Sequence, residues 1–114
     1  MEDLDMSPVV VYMTAVDADE AGRIGRELVT RRLAACVNIL GPIRSLYWWD
    51  GKVQDEGEIA FIAKTWEDRL DELTRTVREL HSYDEPCVVA VPVTGGSPSF
   101  IDWIRGETHP DESV

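Results

Sequence analysis

The feature that most constrains the fold is a tight turn, Asp50-Gly51, between two long strand-like runs that together span residues 34–65. Asp-Gly favours the two positive φ angles of a two-residue hairpin turn. Each arm of this hairpin has about a dozen residues, against roughly 5–6 in an ordinary strand. The far end of the hairpin is therefore expected to project past the sheet of one small domain, where another surface must cover it.

Apolar runs on either side of the hairpin predict two more strands. The segments 9–15 and 88–93 are short and almost continuously apolar, as in strands that are covered on at least one face. Within the hairpin, Gly41-Pro42 interrupts the first arm and predicts a bulge or a sheet edge, because proline cannot donate to a strand ladder. A short last helix is predicted around Trp103.

Two longer helices are predicted between the strands, and each begins with a capping pattern. Asp17, followed by Glu20 three residues later, is an acidic version of the capping box. The apolar stripe of this first helix leaves Glu20 among the polar residues. Thr65 is predicted to cap the second helix, with Asp68 at the third position.

The order of these elements is βαββαβ followed by a helix, which is the ferredoxin-like arrangement of an α+β fold. Right-handed crossovers place both main helices on one face of a four-stranded antiparallel sheet. The second and fourth strands then form opposite edges, so Cys36 and Cys87 are predicted to lie far apart within one chain. We divide the chain into an arm (1–8), a single domain (9–105) and a polar tail (106–114) in which His109 is expected to be solvated.

Charge excludes one class of partner. Twenty-two acidic residues oppose eleven basic ones, for a net charge of −11. Nucleic acid is therefore not an expected partner, because backbone binding requires clustered Lys and Arg. No apolar run approaches the length of about 18 residues that a membrane span needs, and the acidic N-terminus lacks the pattern of a signal peptide. These observations favour a cytoplasmic protein.

The sequence contains no strong catalytic motif, so an enzyme is not expected. Cys36 can be interpreted as a small buried hydrophobe or as a soft thiolate ligand for copper. His81 can cap its helix, or it can join Tyr83 and Asp84 to bind a divalent ion or orient a small ligand. The residue types alone leave these alternatives open.

Trp48 and Trp49 stand next to each other on one arm of the hairpin. Because side chains alternate along a strand, the two rings point to opposite faces and cannot share one core. Large exposed aromatic side chains tend to mark interfaces. We therefore predict that one of them meets a partner subunit or lines a ligand pocket.

Four segments of the sequence resemble the motifs of the CutA divalent-cation tolerance proteins, and the resemblance covers residues 9–105 in order. It implies a ferredoxin-like fold, a PII-like homotrimer in the cytoplasm of microbes, and a role in tolerance to copper and other divalent cations, with no required cofactor. The segments are Ala35-Cys36-Val37-Asn38-Ile39, Ser45-Leu46-Tyr47-Trp48-Trp49-Asp50-Gly51-Lys52, 58–65 and His81-Ser82-Tyr83-Asp84-Glu85-Pro86.

The resemblance also implies functional residues, position by position. Cys36 matches a proposed copper ligand of the family, and we take His81 and Asp84 with it as candidate metal residues. Motif positions that line the family's inter-subunit cleft match Trp49, Glu58, Lys64 and Tyr83, and His81 and Asp84 as well. Cys87 departs from the pattern, because the family usually has a polar or acidic residue after this proline.

Three functions are compatible with these observations. The first is a homotrimer that responds to divalent metal ions and binds copper through Cys36. The second is a PII-like signalling trimer that binds a small molecule in its clefts. The third is a structural or anchoring protein in which no single site carries the function.

Overall fold

The structure, a computed structural model, describes residues 7–112 and has the predicted ferredoxin-like order. Within that range the four strands and three α-helices follow one another as βαββαβα. The strands are β1 (Pro8–Ala15), β2 (Cys36–Trp49), β3 (Lys52–Trp66) and β4 (Val88–Pro92), and the helices are α1 (Ala18–Thr30), α2 (Leu70–Leu80) and α3 (Pro98–Thr108). Most of the predicted N-terminal arm and the end of the predicted tail lie outside the described residues.

The sheet has the strand order β2-β3-β1-β4, and every neighbouring pair is antiparallel. Alternate residues of β1 and β3, among them Val11, Met13 and Phe61, are fully buried against the apolar stripes of α1 and α2. Each such side chain contributes about 1.5–3 kcal/mol through burial. The opposite face of the sheet carries α3 at one end only, where Ile104 packs with Ala35 and Trp66.

The hairpin of β2 and β3 is as long as predicted. Asp50 and Gly51 have φ angles of 57° and 71°, as the turn requires. A register shift between Ile39 and Gly41, where Gly41 has a φ of 123°, confirms the predicted bulge. β3 pairs with β1 only from residue 59 onward, so residues 52–58 pair with β2 alone. This end of the hairpin is a bare two-stranded ribbon, and it lengthens the molecule to 50 × 29 × 24 Å.

The prediction that Thr65 caps the second helix is wrong. Thr65 lies inside β3, is fully buried, and donates its hydroxyl hydrogen to the carbonyl oxygen of Leu33 at 2.8 Å. A short 3₁₀ turn at Glu67–Arg69 follows the strand, and α2 begins at Leu70. Thr65 is β-branched, and β-branched residues are common in strands, so a threonine at this position is compatible with a strand as well as with a helix cap.

The prediction that His109 is solvated is also wrong. Helix α3 continues to Thr108, inside the predicted tail, and His109 is only 6% exposed. The Nε2 atom of His109 lies 2.8 and 2.9 Å from the two carboxylate oxygens of Asp68. Arg69 donates to the carbonyl oxygen of Thr108 at 2.9 Å. These contacts fasten the C-terminal end of α3 to the turn between β3 and α2.

Candidate functional site

The open face of the sheet, beyond the part that α3 covers, forms a cleft of about 870 Å³, which we call the hairpin cleft. Its floor and one wall are formed by the hairpin and β1, mostly by alternate residues that point to the open face, with Arg44 and Leu46 in addition. Its other wall is the segment between α2 and β4. The lining residues on the strands include Tyr12, Thr14, Ile43, Ser45, Tyr47, Trp49, Lys52, Gln54, Glu56 and Glu58, and those on the segment are Tyr83, Asp84, Glu85 and Cys87.

Two tyrosine–glutamate pairs organise the polar part of the hairpin cleft. Tyr47 donates its hydroxyl hydrogen to Glu56 at 2.9 Å, and Tyr83 donates to Glu58 at 3.1 Å. The hydrogen bond to Glu56 raises the pKa of Tyr47. Burial and the hydrogen bond to Glu58 raise the pKa of Tyr83. Both phenols therefore stay protonated at neutral pH, where they hold the two carboxylates in place.

His81 is buried beneath the hairpin cleft and does not have the geometry of a metal ligand. Its side chain has no exposed surface, and its Nε2 atom lies 2.8 Å from the carbonyl oxygen of Thr14. Its Nδ1 atom accepts a hydrogen bond from the backbone N–H of Tyr83 at 3.1 Å. This pattern assigns the proton to Nε2 and leaves neither nitrogen with a free lone pair. Both ring nitrogens are therefore engaged within the protein, and the role of His81 as a metal ligand stays a prediction.

Glu20 anchors the segment that carries Tyr83 and Asp84. Sequence patterning placed Glu20 among the polar residues of α1, but its carboxylate is buried and the residue is only 2% exposed. One carboxylate oxygen accepts from the backbone N–H of Val16 at 3.0 Å, and the other accepts from that of Ser82 at 2.7 Å. The capping box predicts a local partner for this side chain, but no sequence signal predicts the distant partner, Ser82.

The electrostatics of Glu20 follow from the same contacts. Burial alone would raise the pKa of the Glu20 carboxyl, but the N–H groups of Val16 and Ser82 outweigh it and hold that pKa below its ordinary value. Asp17 meanwhile caps α1 as predicted, accepting from the N–H of Glu20 at 2.9 Å. The charged carboxylate of Glu20 thus joins the start of α1 to one wall of the hairpin cleft.

The three predicted metal residues do not meet. Cys36 is half-buried on β2 opposite Lys64, and Lys64 pairs with Val10 on β1. His81 binds Thr14, four residues further along β1, which is about 13 Å at the usual rise per residue. Within residues 7–112, no group of three or more His, Cys, Asp or Glu side chains is placed to hold one metal ion. Asp84 instead lines the hairpin cleft.

The predicted cleft residues Trp49, Glu58 and Tyr83 come together in the hairpin cleft, but Lys64 does not join them. Lys64 has the same parity as Glu58 on β3, yet six residues separate the two positions, or about 20 Å along the strand. Its Nζ atom donates to the side-chain oxygen of Asn38 at 2.8 Å and lies 5.8 Å from the centre of the Phe100 ring on α3.

Sequence reasoning missed Tyr47 and Glu56. Each lies two residues from a predicted cleft residue, Trp49 or Glu58, so strand alternation places it on the same face. Cys36 lies on one edge strand and Cys87 just before the other, as predicted, and both are free thiols. Burial, together with the nearby charge of Glu58, raises the pKa of the Cys87 thiol. Cys87 is therefore a protonated lining residue of the hairpin cleft.

The fold and the cleft together define a class of small α+β proteins, in which a ferredoxin-like sheet extends into a long two-stranded hairpin. The comparison with known families identifies the member of this class. The family model described as CutA1 divalent ion tolerance protein matches residues 9–107, and the chain belongs to this family.

Individual relatives agree with this assignment. The divalent-cation tolerance protein CutA of Archaeoglobus fulgidus is 44% identical over 94 residues, which are 82% of this chain and 91% of the relative. The chloroplastic protein CutA 1 of rice is 42% identical over 101 residues, 89% of this chain. The chain spans 57% of the length of that rice relative.

Solved structures confirm the fold. The periplasmic divalent cation tolerance protein CutA of Archaeoglobus fulgidus superimposes with a TM-score of 0.85 at 40% identity, covering 89% of this chain and 98% of the other. The divalent cation tolerance protein of Thermus thermophilus gives a TM-score of 0.86 at 36% identity, covering 88% and 97%. Among residues 7–112, none of the helices is long and apolar enough to cross a membrane.

Proposed function

We propose that this protein acts as a homotrimer in tolerance to divalent metal ions. Family membership supports the cellular role, because relatives from Archaeoglobus and Thermus are named for tolerance to divalent cations. The family is named for ion tolerance and not for a reaction, and the sequence expectation that the protein is no enzyme stays a prediction. The observation that carries the proposal of assembly is the bare ribbon at the end of the hairpin.

The ribbon has the surface of an interface. An isolated two-stranded hairpin is only marginally stable in water. Two large apolar side chains on the side away from the hairpin cleft are nevertheless exposed there: Trp48 is 74% and Val53 58% accessible. Contact with other copies would cover these side chains and the free edge of β2, which would otherwise invite uncontrolled pairing.

Copper binding through Cys36 is the finer part of the proposal. A thiolate is a soft ligand that suits copper, and Cys36 is half-buried near the start of an edge strand. No set of three ligand side chains surrounds any point of residues 7–112. Cys36 would therefore serve as one ligand, with the others coming from a neighbouring copy or from solution.

Copper titration of the reduced protein tests this role. Wild-type protein and a Cys87→Ser control are expected to bind copper alike, because Cys87 lies just before the edge strand opposite the one that carries Cys36. Cys36→Ser is expected to lose affinity by about tenfold or more, the equivalent of one good ligand interaction. Equal affinities of the Cys36→Ser variant and the wild type would overturn the assignment of Cys36 as the ligand.

A second candidate function is a PII-like site for a small molecule. The hairpin cleft favours it, because its volume lies within the range of about 300–1,000 Å³ that is typical of small-molecule sites. It combines aromatic and charged side chains, as such sites do. In this case tolerance to metal ions and binding of a small molecule in the cleft would be two separate functions of one protein.

The predicted cytoplasmic location stays part of the proposal. Relatives carry different compartments in their names, since the rice protein is called chloroplastic and the Archaeoglobus structure periplasmic. Fractionation of the native host, followed with an antibody against this chain, tests the location. Recovery in a periplasmic or organelle fraction would contradict it.

A further inference from the structure

We propose that the hairpin cleft binds an organic cation that carries amino or guanidino groups on a partly apolar stem. This inference rests on the second candidate function and names the chemical class of its ligand. Three properties of the cleft support it: the balance of charge, the aromatic lining and the spacing of the carboxylates.

The charge balance favours a cation. Five acidic side chains line the hairpin cleft, against the two bases Arg44 and Lys52. One of the five, Glu85, is paired with Arg78 at 3.2 Å, which leaves four. The guanidinium of Arg44 is already engaged, because it donates to both oxygens of Asp55 at 2.7 and 2.8 Å, and Asp55 is not a lining residue. The whole chain carries a net charge of −11. A nucleotide or another phosphate would enter against this potential, whereas a cation is attracted by it.

The aromatic lining adds attraction of a second kind. Tyr12, Tyr47, Trp49 and Tyr83 all contribute to the surface of the cleft. A cation over an aromatic face gains about 0.5–1 kcal/mol at an exposed site and more where water is excluded, with Trp the strongest partner. Trp49 is 53% and Tyr47 38% exposed, so both rings have surface left to offer. An apolar stem between charged groups would cover the same rings.

The spacing of the carboxylates distinguishes an organic cation from a metal ion. Glu56 and Glu58 stand two residues apart on one face of β3, about 7 Å at the usual strand rise. Asp84 belongs to the opposite wall, and no three such groups within residues 7–112 converge on one point. Each of the two glutamates accepts one tyrosine hydroxyl and keeps further acceptor capacity. Carboxylates that are this far apart can each accept from a different N–H group of one extended organic cation.

The lining residues named here belong to one chain, and in the proposed homotrimer a neighbouring copy can add to them. Binding is therefore measured on the assembled protein. Spermidine is the probe, measured by isothermal titration calorimetry at low and moderate salt and compared with Mg²⁺ and with ATP. One site per chain is expected for spermidine, with weaker binding of either comparison compound.

The variants separate a built site from general attraction to an acidic protein. Glu56→Gln/Glu58→Gln removes two charges from the hairpin cleft, and Glu72→Gln/Glu79→Gln removes two from the exposed surface of α2. The cleft variant is expected to lose spermidine affinity by about tenfold or more, as charge-assisted hydrogen bonds are removed. The α2 variant should stay within about twofold of the wild type, because distant exposed charges are screened by salt.

Each other outcome overturns a defined part of the inference. Equal losses in both double variants would show that spermidine only screens the surface charge. Binding of ATP in place of spermidine, lost in the cleft variant, would keep the small-molecule function and reject the cationic class. No binding of any probe to the wild type would reject both. Copper titration of the same samples follows the metal function independently.

Discussion

Glu20 joins two segments of the chain that are 62 residues apart. A buried carboxylate without partners would be strongly unfavourable, but each oxygen of Glu20 accepts a backbone N–H, from Val16 and from Ser82. Ser82 is followed by Tyr83, whose own N–H binds His81, so the order of the cleft wall depends on this one side chain. The contribution of Glu20 is therefore both to stability and to the shape of the hairpin cleft.

We expect Glu20→Gln to destabilise the protein by about 1.5–3 kcal/mol, because an amide can accept with one atom only and its NH₂ group faces a backbone donor. Urea unfolding at neutral pH measures this difference. Glu27→Gln is the control, since Glu27 forms an exposed ion pair with Arg31 on the same helix and should change stability by less than about 1 kcal/mol. Equal effects of the two substitutions would contradict the role of Glu20.

The pH dependence of the same variant follows from the lowered pKa of Glu20. A carboxyl whose pKa is lower in the folded state stabilises the protein above its unfolded-state pKa, here near 4.5, and loses that contribution as the pH falls through the folded-state value. The stability difference between wild type and Glu20→Gln should therefore shrink below about pH 4.5. A constant difference down to pH 3 would contradict this account.

At the scale of single elements, β2 carries a bulge that decides which of its side chains point to the open face of the sheet. Before the bulge, Cys36 and Asn38 share the open face; after it, that face carries Ile43, Tyr47 and Trp49. The extra residue at the bulge is what brings the odd-numbered positions of the second half of β2 onto the open face. Without this shift, Trp48 and not Trp49 would line the hairpin cleft.

Substituting Gly41 tests the bulge. Its φ of 123° is strained for any other residue, and open space surrounds the position where a Cβ would stand, so backbone strain alone should decide the effect. We expect Gly41→Ala to cost about 1–3 kcal/mol. Gly57→Ala on the facing strand is the control, because Gly57 lacks a positive φ and a Cβ there meets only a carbonyl oxygen at 3.9 Å.

Thermal and urea unfolding of both glycine variants measure the difference. Gly57→Ala is expected to be neutral or slightly stabilising, since alanine restricts the unfolded chain. A Gly41→Ala variant as stable as Gly57→Ala would show that the bulge can be rebuilt without glycine.

At the scale of the whole molecule, the long ribbon makes the chain elongated, with a radius of gyration of 14.9 Å. A compact domain of this length is expected to have a value near 13 Å. The excess comes from a hairpin whose far half pairs with no strand beyond its own two, and whose tip exposes Trp48 and Trp49. This shape is the physical reason to expect assembly of several copies.

We expect the wild-type protein to sediment as a trimer and Trp48→Ser to dissociate on dilution. Loss of a tryptophan from the centre of an interface costs about 2 kcal/mol or more, equivalent to about a 30-fold weaker association. Sedimentation velocity over a dilution series measures this. Trp103→Ser removes an exposed tryptophan from α3 and should leave the association unchanged. A stable monomer of the wild type would contradict the proposed assembly.

The sequence by itself determined the element order, the hairpin turn, the bulge and the edge positions of the two cysteines. These depend on local rules, since alternation, helical spacing and turn chemistry act between residues that are close in the chain. The grouping of Trp49, Glu58 and Tyr83 in one cleft came from the family resemblance and not from these local rules.

Only the tertiary structure decided the roles of the residues whose partners are distant in sequence. Thr65 binds Leu33, His109 binds Asp68, Glu20 binds Ser82 and Lys64 binds Asn38. In each case the side chain satisfies its hydrogen bonds with a group that the fold brings near, and a local pattern cannot indicate that group. The sequence could show which residues share a face of the sheet, but distance along the strand separated Lys64 from the cleft and Cys36 from His81.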